Sequence, residues 1–580
     1  MENPTLRALA VVSAIVLGAV VAPDAAAGQQ TRAAGDISTT VYAPQNRPDV
    51  RGTNGAVSAG HPLAAQAGLA VLQRGGTATD AIIAMAGVLA VVRPHMNGVG
   101  GDAFAIFYDG ATSEISAING SGRAGRLATP GFFREQGVDR VPGSGALSVT
   151  VPGAVAAWVD AHERFGTLPF DELLEPGIRL AGEGFPVSKR LAYDIESGAG
   201  RLNEAARALY LPGGSAPPVG SLLKNEALAA TLREIAKSGK ESFYAGALAE
   251  RLAGFIESEG GHLRTGDFRT HRSTWVEPLR ADYLGLTFLV MPPNSQGLAQ
   301  LSYMGLAEAH PIRSLGHNTT AYLHTMIELK KLAFADRDRW VADPAQADIP
   351  IAELLDKDYL RERAASVNPG RAAAEVPAGI GEPVGEVSAV LNDAGDTVYL
   401  TAVDRYGNAV SWIQSLFAGF GSGLLDPGTG VVFHNRGSGH SLIGEHPNVV
   451  APDKRPYHTL TPMMALREDG SFALAMGTPG GDSQTQSLLQ IVHNLLVFGM
   501  TPQEAIEAPR FRSSGGRSVS IEDRIAPGVL AELEALGHEL RVIEGWTATF
   551  GGAQMIYVEP GSGTFAAAAD PRREAYALAY

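Results

Sequence analysis

The chain has 580 residues and a net charge of −15, with 46 lysines and arginines against 61 aspartates and glutamates. That balance, without any run of Lys or Arg, excludes the basic surface of a nucleic-acid-binding protein, and the lack of cysteine excludes disulfides, thiolate nucleophiles and iron–sulfur clusters. Hydrophobic residues make up 45% of the chain, which is enough for a large globular core.

The first 27 residues have the pattern of a secretory signal peptide. Arg7 precedes an apolar run from Ala8 to Ala22, and residues 25–27 are alanines that suit a signal peptidase. The run is about 15 residues long, which is shorter than the roughly 20 that a membrane-spanning helix needs. We therefore expect residues 1–27 to direct export to the periplasm or the medium, with no stable membrane span after processing. An uncleaved membrane anchor is the alternative.

Helical and strand patterns alternate along the rest of the chain. Helices are recognised by apolar residues at a spacing of three to four, and strands by short apolar or alternating runs beside turn residues. The predicted elements are two helices within His61–Val92 (the second from Ala81), a hairpin over 103–117, helical patterns over 222–260, 319–340, 486–497 and 527–536, and strand-like segments over 472–481 and 553–561.

Three side chains near the predicted helix 319–340 have metal-binding chemistry. His324 and Glu328 share one helix face, His317 lies outside the helix, and no further ligand is evident in the sequence. We expect surface or capping roles for them, and neither a metal nor a cofactor.

A segment without periodicity, 367–396, leads directly into a strand pattern that begins at Thr397. A threonine hydroxyl is a weak nucleophile, but it becomes effective when the α-amine of the same residue is free to act as a base. Cleavage between Asp396 and Thr397 would create that amine. The residues alone leave an ordinary strand threonine as the alternative.

Several separate blocks of sequence resemble the γ-glutamyltransferase family, in the order found there, from about residue 40 to the C-terminus. They are RPHMNGVGGD (93–102), TVYLTAVD (397–404), DRYGNAVSWIQS (404–415), FGSG (420–423), KRP (454–456), TPGG (478–481) and ADPR (569–572). The resemblance implies an N-terminal-nucleophile hydrolase with a four-layer αββα fold of the α/β class. It also implies one precursor cut into a large subunit, residues 28–396, and a small subunit, residues 397–580, that stay together.

The same resemblance assigns the catalytic parts. Thr397 matches the catalytic threonine, Gly480 and Gly481 match the pair whose amides stabilise the oxyanion, and Ser415 matches a second hydroxyl residue near the nucleophile. A five-residue loop after Val403 would pair Thr397 with Ser415 in a hairpin. A slip of one residue would place the two side chains on opposite faces.

The positions that hold a γ-glutamyl group depart from the family pattern. Asn119 stands at the position of an arginine that binds the α-carboxylate, and Ser438 at that of an aspartate that binds the α-amine. Phe417 replaces an asparagine, and His458-Thr459 replace a serine pair. These departures resemble the subgroup that includes oxamate amidohydrolase and acylase-like members.

Two arginines could take over the binding of an anionic group. Arg123 lies four residues after Asn119 and Arg436 two residues before Ser438, although a plain surface arginine is an equal alternative for each. His458 is interpreted as substrate-lining or structural, because the family uses the threonine amine for proton transfer.

We therefore expect a self-processing amidohydrolase that acts on a small amide or γ-glutamyl-like substrate through an acyl-threonine intermediate. Alternatives are an ordinary glutathione hydrolase and γ-glutamyl transferase, and a catalytically inactive family member that serves as a binding protein. The sequence does not identify the acyl group or decide between hydrolysis and transfer.

Overall fold

The computed structural model describes residues 46–382 and 395–580. The predicted signal peptide and most of the lead-in to the first helix lie outside the described residues, as do residues 383–394 of the predicted linker. The described parts of that linker, up to Gly395, contain neither helix nor strand, as predicted.

Twenty-one strands lie within the described residues. They are β1 (Val50–Gly52), β2 (Ala56–Ala59), β3 (Asp102–Tyr108), β4 (Ile115–Gly120), β5 (Phe185–Pro186), β6 (Leu222–Leu223), β7 (Thr274–Val276), β8 (Leu279–Tyr283), β9 (Leu286–Val290), β10 (Asp396–Val403), β11 (Ala409–Phe417), β12 (Leu425–Asp426), β13 (Val431–Val432), β14 (Met463–Leu466), β15 (Phe472–Gly477), β16 (Phe511–Gly515), β17 (Ser518–Glu522), β18 (Glu539–Ile543), β19 (Gln554–Val558), β20 (Phe565–Ala569) and β21 (Tyr576–Ala579).

Eighteen α-helices accompany these strands in the described parts of the chain. They are α1 (Pro62–Gln73), α2 (Ala78–Val92), α3 (Pro130–Glu135), α4 (Ala154–Phe165), α5 (Phe170–Glu183), α6 (Lys189–Gly198), α7 (Glu204–Tyr210), α8 (Glu226–Tyr244), α9 (Ala247–Ser258), α10 (Thr265–Thr270), α11 (Gly297–Glu308), α12 (Ile312–Leu315), α13 (Thr320–Trp340), α14 (Ile351–Leu354), α15 (Lys357–Ala364), α16 (Ser483–Val492), α17 (Pro502–Glu507) and α18 (Pro527–Ala535). None of them combines the length and the apolar character needed to cross a bilayer.

Two seven-stranded antiparallel sheets form the centre of the fold. The first sheet has the strand order β1-β20-β19-β15-β14-β9-β8, and the helices on its outer face include α11, α13 and α16. The second sheet has the order β21-β2-β10-β11-β3-β4-β7, and the helices on its outer face include α1, α2 and α5. A third apolar cluster, which includes Tyr399, Ile413 and Met464, fills the space between the sheets. The expected four-layer αββα arrangement is therefore confirmed.

Most of the predicted elements are present, with shifted ends. Helix α2 begins at Ala78, three residues before the prediction, because Thr77 and Asp80 form a capping box at its start. Residues 222–223 were predicted to begin a helix and instead form the short strand β6, which pairs with β5. The helix predicted over 486–497 begins at Ser483 and ends in a π-helical turn, His493–Val497.

The hairpin of β10 and β11 lies in the middle of its sheet, between β2 and β3. Its turn is held by Asp404, whose carboxylate accepts hydrogen bonds from the backbone N–H groups of Ala78, Tyr406 and Asn408. Val403 pairs with Ala409, as predicted. Alternate residues of β10, including Val398 and Leu400, pack against the helices, so Thr397 and Tyr399 face the other sheet.

Candidate active site

The predicted nucleophile and its partner are adjacent. The Thr397 hydroxyl donates a hydrogen bond of 3.0 Å to Ser415 Oγ, and both side chains are buried. The regular pairing ends here, because Val398 lies opposite Gln414 whereas Asp396 lies opposite Phe417. This bulge next to Thr397 places the two hydroxyl groups on one face and turns the chain at the predicted cleavage site.

Ser415 connects the nucleophile to the predicted scissile bond. Its hydroxyl donates to the carbonyl oxygen of Asp396 at 2.7 Å, and its oxygen accepts hydrogen bonds from Thr397 and from the N–H of Phe417. One donor and two acceptor positions are all that a hydroxyl offers, so its orientation is fixed. The arrangement polarises the carbonyl that lies next to the Thr397 hydroxyl.

The side chain of Asp396 is anchored as well. Its Oδ1 accepts a hydrogen bond of 2.9 Å from Nη1 of Arg573, a residue that follows the C-terminal ADPR block. Arg573, Met96 and Pro479 line a small cavity beside Thr397. The residue that follows the C-terminal block thus holds Asp396, which precedes the predicted cut, and the sequence did not reveal this contact.

The glycine pair forms the turn from β15 into α16. Gly480 has φ 131° and Gly481 has φ 56°, a region that side-chain-bearing residues rarely adopt. Among the described residues, no backbone or side-chain acceptor faces the N–H group of either glycine, which leaves both free for a developing negative charge. The positive end of α16, which begins at Ser483, lies two residues after Gly481 in the chain.

In the uncut chain this glycine pair is covered. Gly395 packs so closely on the backbone that a Cβ atom at Gly395 would collide with the nitrogen of Gly481. Gly395, two residues before Thr397, therefore occupies the approach to the free N–H groups. A substrate carbonyl can reach them only after that segment has moved.

Gln296 joins the glycine turn to the loop that contains Thr459. Its side-chain nitrogen donates to the carbonyl oxygens of Thr459 (2.7 Å) and Gly481 (3.2 Å). Its side-chain oxygen accepts hydrogen bonds from Arg337 and from the hydroxyl of Tyr457. Sequence reasoning missed Gln296, and no motif or periodic signal marks it.

A second buried cluster lies behind the site, around Asp102. Its Oδ2 faces His458 Nε2 at 3.2 Å and His434 Nδ1 at 3.4 Å. Although burial alone raises the pKa of the Asp102 carboxyl, the interactions with the two histidines hold that pKa well below its usual range. Burial, followed by the charge of Arg436, lowers the pKa of His458 to about 3. His458 is therefore neutral and makes structural contacts.

The two positions that the resemblance predicts to bind an amino-acid group carry neutral side chains that already form hydrogen bonds within the protein. The Asn119 amide donates to Asn294 Oδ1 and accepts from the N–H of Ser121. The Ser438 hydroxyl donates to the carbonyl of Asn435 in its own turn. Neither side chain carries the charge that an α-carboxylate or an α-ammonium group needs.

The two candidate arginines lie in different places. Arg123 lines a separate pocket with Asp267 and His271, and its Nε lies 3.5 Å from Asp453. Arg436 is completely buried, stacks on the ring of Phe417 at 4.0 Å and donates to Thr459 Oγ1 at 3.2 Å. Of the two, the structure brings Arg436 into the site through its contacts with the predicted residues Phe417 and Thr459.

Comparison with known proteins is consistent with this geometry. The model of the γ-glutamyltranspeptidase family matches residues 64–580. The chain belongs to this family.

Relatives of this family member span nearly the same length. The glutathione hydrolase-like YwrD proenzyme of Bacillus subtilis is 35% identical over 537 residues, which cover 91% of this chain and 99% of that protein. The oxamate amidohydrolase proenzyme of Klebsiella pneumoniae is 36% identical over 541 residues, with the same two coverages. The crystal structure of cephalosporin acylase from Bacillus halodurans has a TM-score of 0.85 at 35% identity and covers 93% of this chain and 98% of that one.

These relatives confirm that the protein is an enzyme of the γ-glutamyltranspeptidase family, and they match the acylase-like subgroup that the motifs indicated. Their names as proenzymes agree with a precursor that is processed. The names differ in the substrate, so the substrate of this family member must be argued from its own residues.

The predicted surface or capping role of His324 and Glu328 is wrong, because both are buried inside the fold. A further ligand type, His538, lies beside them, and the three ligand atoms are within 4.8 Å of one another. His324 Nδ1 is 2.8 Å from His538 Nε2, and Glu328 forms an ion pair of 2.6 Å with Lys331. Glu328 has the only carboxylate among these three residues, and the Lys331 ammonium already provides its cationic partner.

Proposed function

We propose that this γ-glutamyltranspeptidase-family protein is a self-processing amidohydrolase whose nucleophile is Thr397. The observation that carries the proposal is the chain of hydrogen bonds from the Thr397 hydroxyl to Ser415 and from Ser415 to the Asp396 carbonyl. It joins the nucleophile, a polarising donor and an electrophilic carbonyl.

The first reaction would be cleavage of the chain itself. Thr397 Oγ attacks the carbonyl carbon of Asp396, the Asp396–Thr397 peptide bond breaks, and the acyl group passes to the hydroxyl as an ester while the α-amine is released. Water then hydrolyses the ester and leaves a carboxylate on Asp396. The products would be a small subunit of 580 − 396 = 184 residues and, if the signal peptide ends at Ala27, a large subunit of 396 − 27 = 369 residues.

Mass analysis of purified protein tests this directly. The small subunit is expected to begin Thr-Val-Tyr-Leu, and the two subunits are expected to elute together under native conditions. A protein that stays intact while it hydrolyses amides would contradict the proposal.

Ser415→Ala is expected to slow self-cleavage by about 100-fold, because removal of one donor from a developing oxyanion has an effect of that order. The rate of precursor loss, followed by gel electrophoresis after refolding, measures the effect. Ser415→Thr keeps the hydroxyl and serves as the matched control, for which we expect cleavage close to the original rate. Equal rates for the alanine and threonine variants would exclude the polarising role.

The processed enzyme would use the same hydroxyl on an external amide. The free α-amine of Thr397 accepts the hydroxyl proton, Oγ attacks the substrate carbonyl, and the N–H groups of Gly480 and Gly481 bind the oxyanion. The amine leaves with a proton, and water releases the acyl group as a carboxylic acid. No metal or cofactor takes part in these steps.

The proposed base predicts the pH dependence of kcat/KM. An α-amine must be neutral to accept a proton, and the reference pKa of such groups is about 7.7–8.0. We expect kcat/KM to fall about tenfold per pH unit below the pKa of the amine. His458 does not account for such a limb, because its pKa is about 3.

Stability must be measured in parallel, because several buried histidines have lowered pKa values, among them His61 and His271 at about 3. Their contribution to stability is complete above the unfolded pKa of about 6.5 and declines as the pH falls below it. A kcat/KM profile that is flat between pH 6 and 9, with acylation shown to be rate-limiting, would contradict an amine base.

The proposal includes export, which rests on the pattern of residues 1–27. The substrate would then be a small amide outside the cytoplasm. Detection of both subunits in the periplasmic or culture fraction, with an N-terminus near residue 28, checks this part.

A further inference from the structure

Two other arginines of the described chain that are as completely buried as Arg436 have a carboxylate partner. Arg93 lies 3.3 Å from Glu574, and Arg510 lies 2.9 Å from Asp570. Arg436 is equally buried, yet no carboxylate of the described residues lies within ion-pair distance. A buried cation without an anion is costly, and proteins retain such groups where a ligand supplies the missing charge.

The hydrogen-bonding capacity of Arg436 is largely unused. Nη1 donates to Thr459 Oγ1, whereas the buried Nε and Nη2 have no partner among the described residues. Asp102 is the carboxylate that influences Arg436 electrostatically, but its oxygens are directed to the two histidines and to the N–H groups of Gly122 and Gly153. Asp102 therefore does not bind the free edge of the guanidinium group, which carries Nε and Nη2.

Arg436 contacts one residue on the side of the nucleophile, Phe417, and one on the side of the oxyanion turn, Thr459. Its guanidinium stacks on Phe417, whose N–H group donates to Ser415 Oγ, the partner of Thr397. Arg436 also contacts Thr459. The side-chain nitrogen of Gln296 donates to the carbonyl oxygens of both Thr459 and Gly481. Two intervening residues thus connect Arg436 to the nucleophile, and two connect it to the oxyanion turn.

We propose that Arg436 binds a carboxylate on the acyl group of the substrate and so selects acyl groups that end in a carboxylate. This inference rests on the proposed amidohydrolase function. Nε and Nη2 lie on one edge of the guanidinium plane and match the two oxygens of a carboxylate. The neutral side chains at Asn119 and Ser438 leave no charged partner for an α-ammonium group. The acyl group would therefore be a short dicarboxylic acid residue without an amine.

Processed protein and paired anilides test the inference. In each pair a terminal carboxylate replaces a methyl group at equal chain length: succinyl and butyryl, glutaryl and pentanoyl, adipyl and hexanoyl p-nitroanilide. We expect the carboxylated member to have a kcat/KM at least about tenfold higher at one chain length. Equal values within all three pairs would overturn the inference but leave the amidohydrolase proposal intact, whereas release of nitroaniline from none of them would argue against that proposal.

Variants then assign the preference to a residue. Arg436→Gln is expected to reduce the carboxylate preference by about 10- to 100-fold, with a smaller change for the neutral anilide, and Arg436→Lys to retain part of it. Arg123→Gln tests the other arginine, which pairs with Asp453 in a separate pocket, and the preference is expected to persist. Loss of the preference in Arg123→Gln but not in Arg436→Gln would overturn the assignment.

Self-cleavage and melting temperature report whether Arg436→Gln folds. If that variant does not fold, competitive inhibition decides, with glutarate and pentanoate as probes of the original enzyme and of Arg436→Lys. Tighter inhibition by glutarate, by at least about tenfold in the original enzyme and less in the lysine variant, supports the inference. Equal inhibition by the two acids, or an unchanged ratio in Arg436→Lys, overturns it.

Discussion

Thr397→Ala is expected to remain a single uncut chain and to lose amide hydrolysis. The variant lacks the hydroxyl that attacks the Asp396 carbonyl, so the α-amine is never released and the glycine turn stays covered by Gly395. Removal of the nucleophile from a serine protease costs about a million-fold in kcat, and we expect a loss of that order here. Mass analysis measures cleavage, and release of nitroaniline measures hydrolysis.

A matched control is available in the same strand. Thr401 is also buried on β10, and its hydroxyl donates to the carbonyl of Val410 at 2.8 Å rather than to Ser415. Thr401→Ala is therefore expected to cleave and to hydrolyse, with some loss of stability. Spontaneous cleavage at residue 396 in Thr397→Ala would show that another group is the nucleophile.

Glutaryl anilide is expected to exceed γ-glutamyl anilide in kcat/KM by about 10- to 150-fold. The two substrates differ only in the α-ammonium group, and a hydrogen bond to a charged group is worth about 1.5–3 kcal/mol. The resemblance predicts that the ammonium-binding position of the family corresponds to Ser438, whose hydroxyl donates to the carbonyl of Asn435. An unpaired ammonium group near the buried cation of Arg436 adds repulsion to the lost contact.

Steady-state kinetics of both anilides, with glutathione as a third donor, give the ratio. The comparison is internal, because both anilides share the leaving group and the chain length. A kcat/KM for γ-glutamyl anilide or glutathione at or above that of glutaryl anilide would favour an ordinary glutathione hydrolase.

The sequence was sufficient to predict the hairpin that carries the nucleophile. Loop length and turn residues led to the pairing of Val403 with Ala409. The approach of Thr397 to Ser415 also needed the resemblance, because a slip of one residue would have placed the two side chains on opposite faces. The four-layer fold depended on the resemblance, because the pairing of strands as distant as β2 and β21 leaves no local pattern.

Other parts of the site depend on contacts between distant segments. Gln296 reaches Gly481, and Arg573 reaches Asp396, across 185 and 177 residues respectively. The burial of His324 beside His538 is of the same kind, because the two residues are 214 positions apart. Periodicity and turn chemistry report only on residues that are close in the chain. They could therefore neither show that Arg436 rather than Arg123 lies at the site nor identify these long-range contacts.

The order of strands in the two sheets has a consequence for the cut protein. β10, which would begin the small subunit at Thr397, lies between β2 of the large subunit and its own partner β11, and β1 of the large subunit closes the other sheet beside β20. Both sheets therefore contain strands from both subunits. Folding of the precursor is unimolecular, whereas two separated subunits would have to meet in solution first. We therefore expect thermal unfolding to be reversible only before the cut, so that the lifetime of the processed enzyme is set by its rate of unfolding.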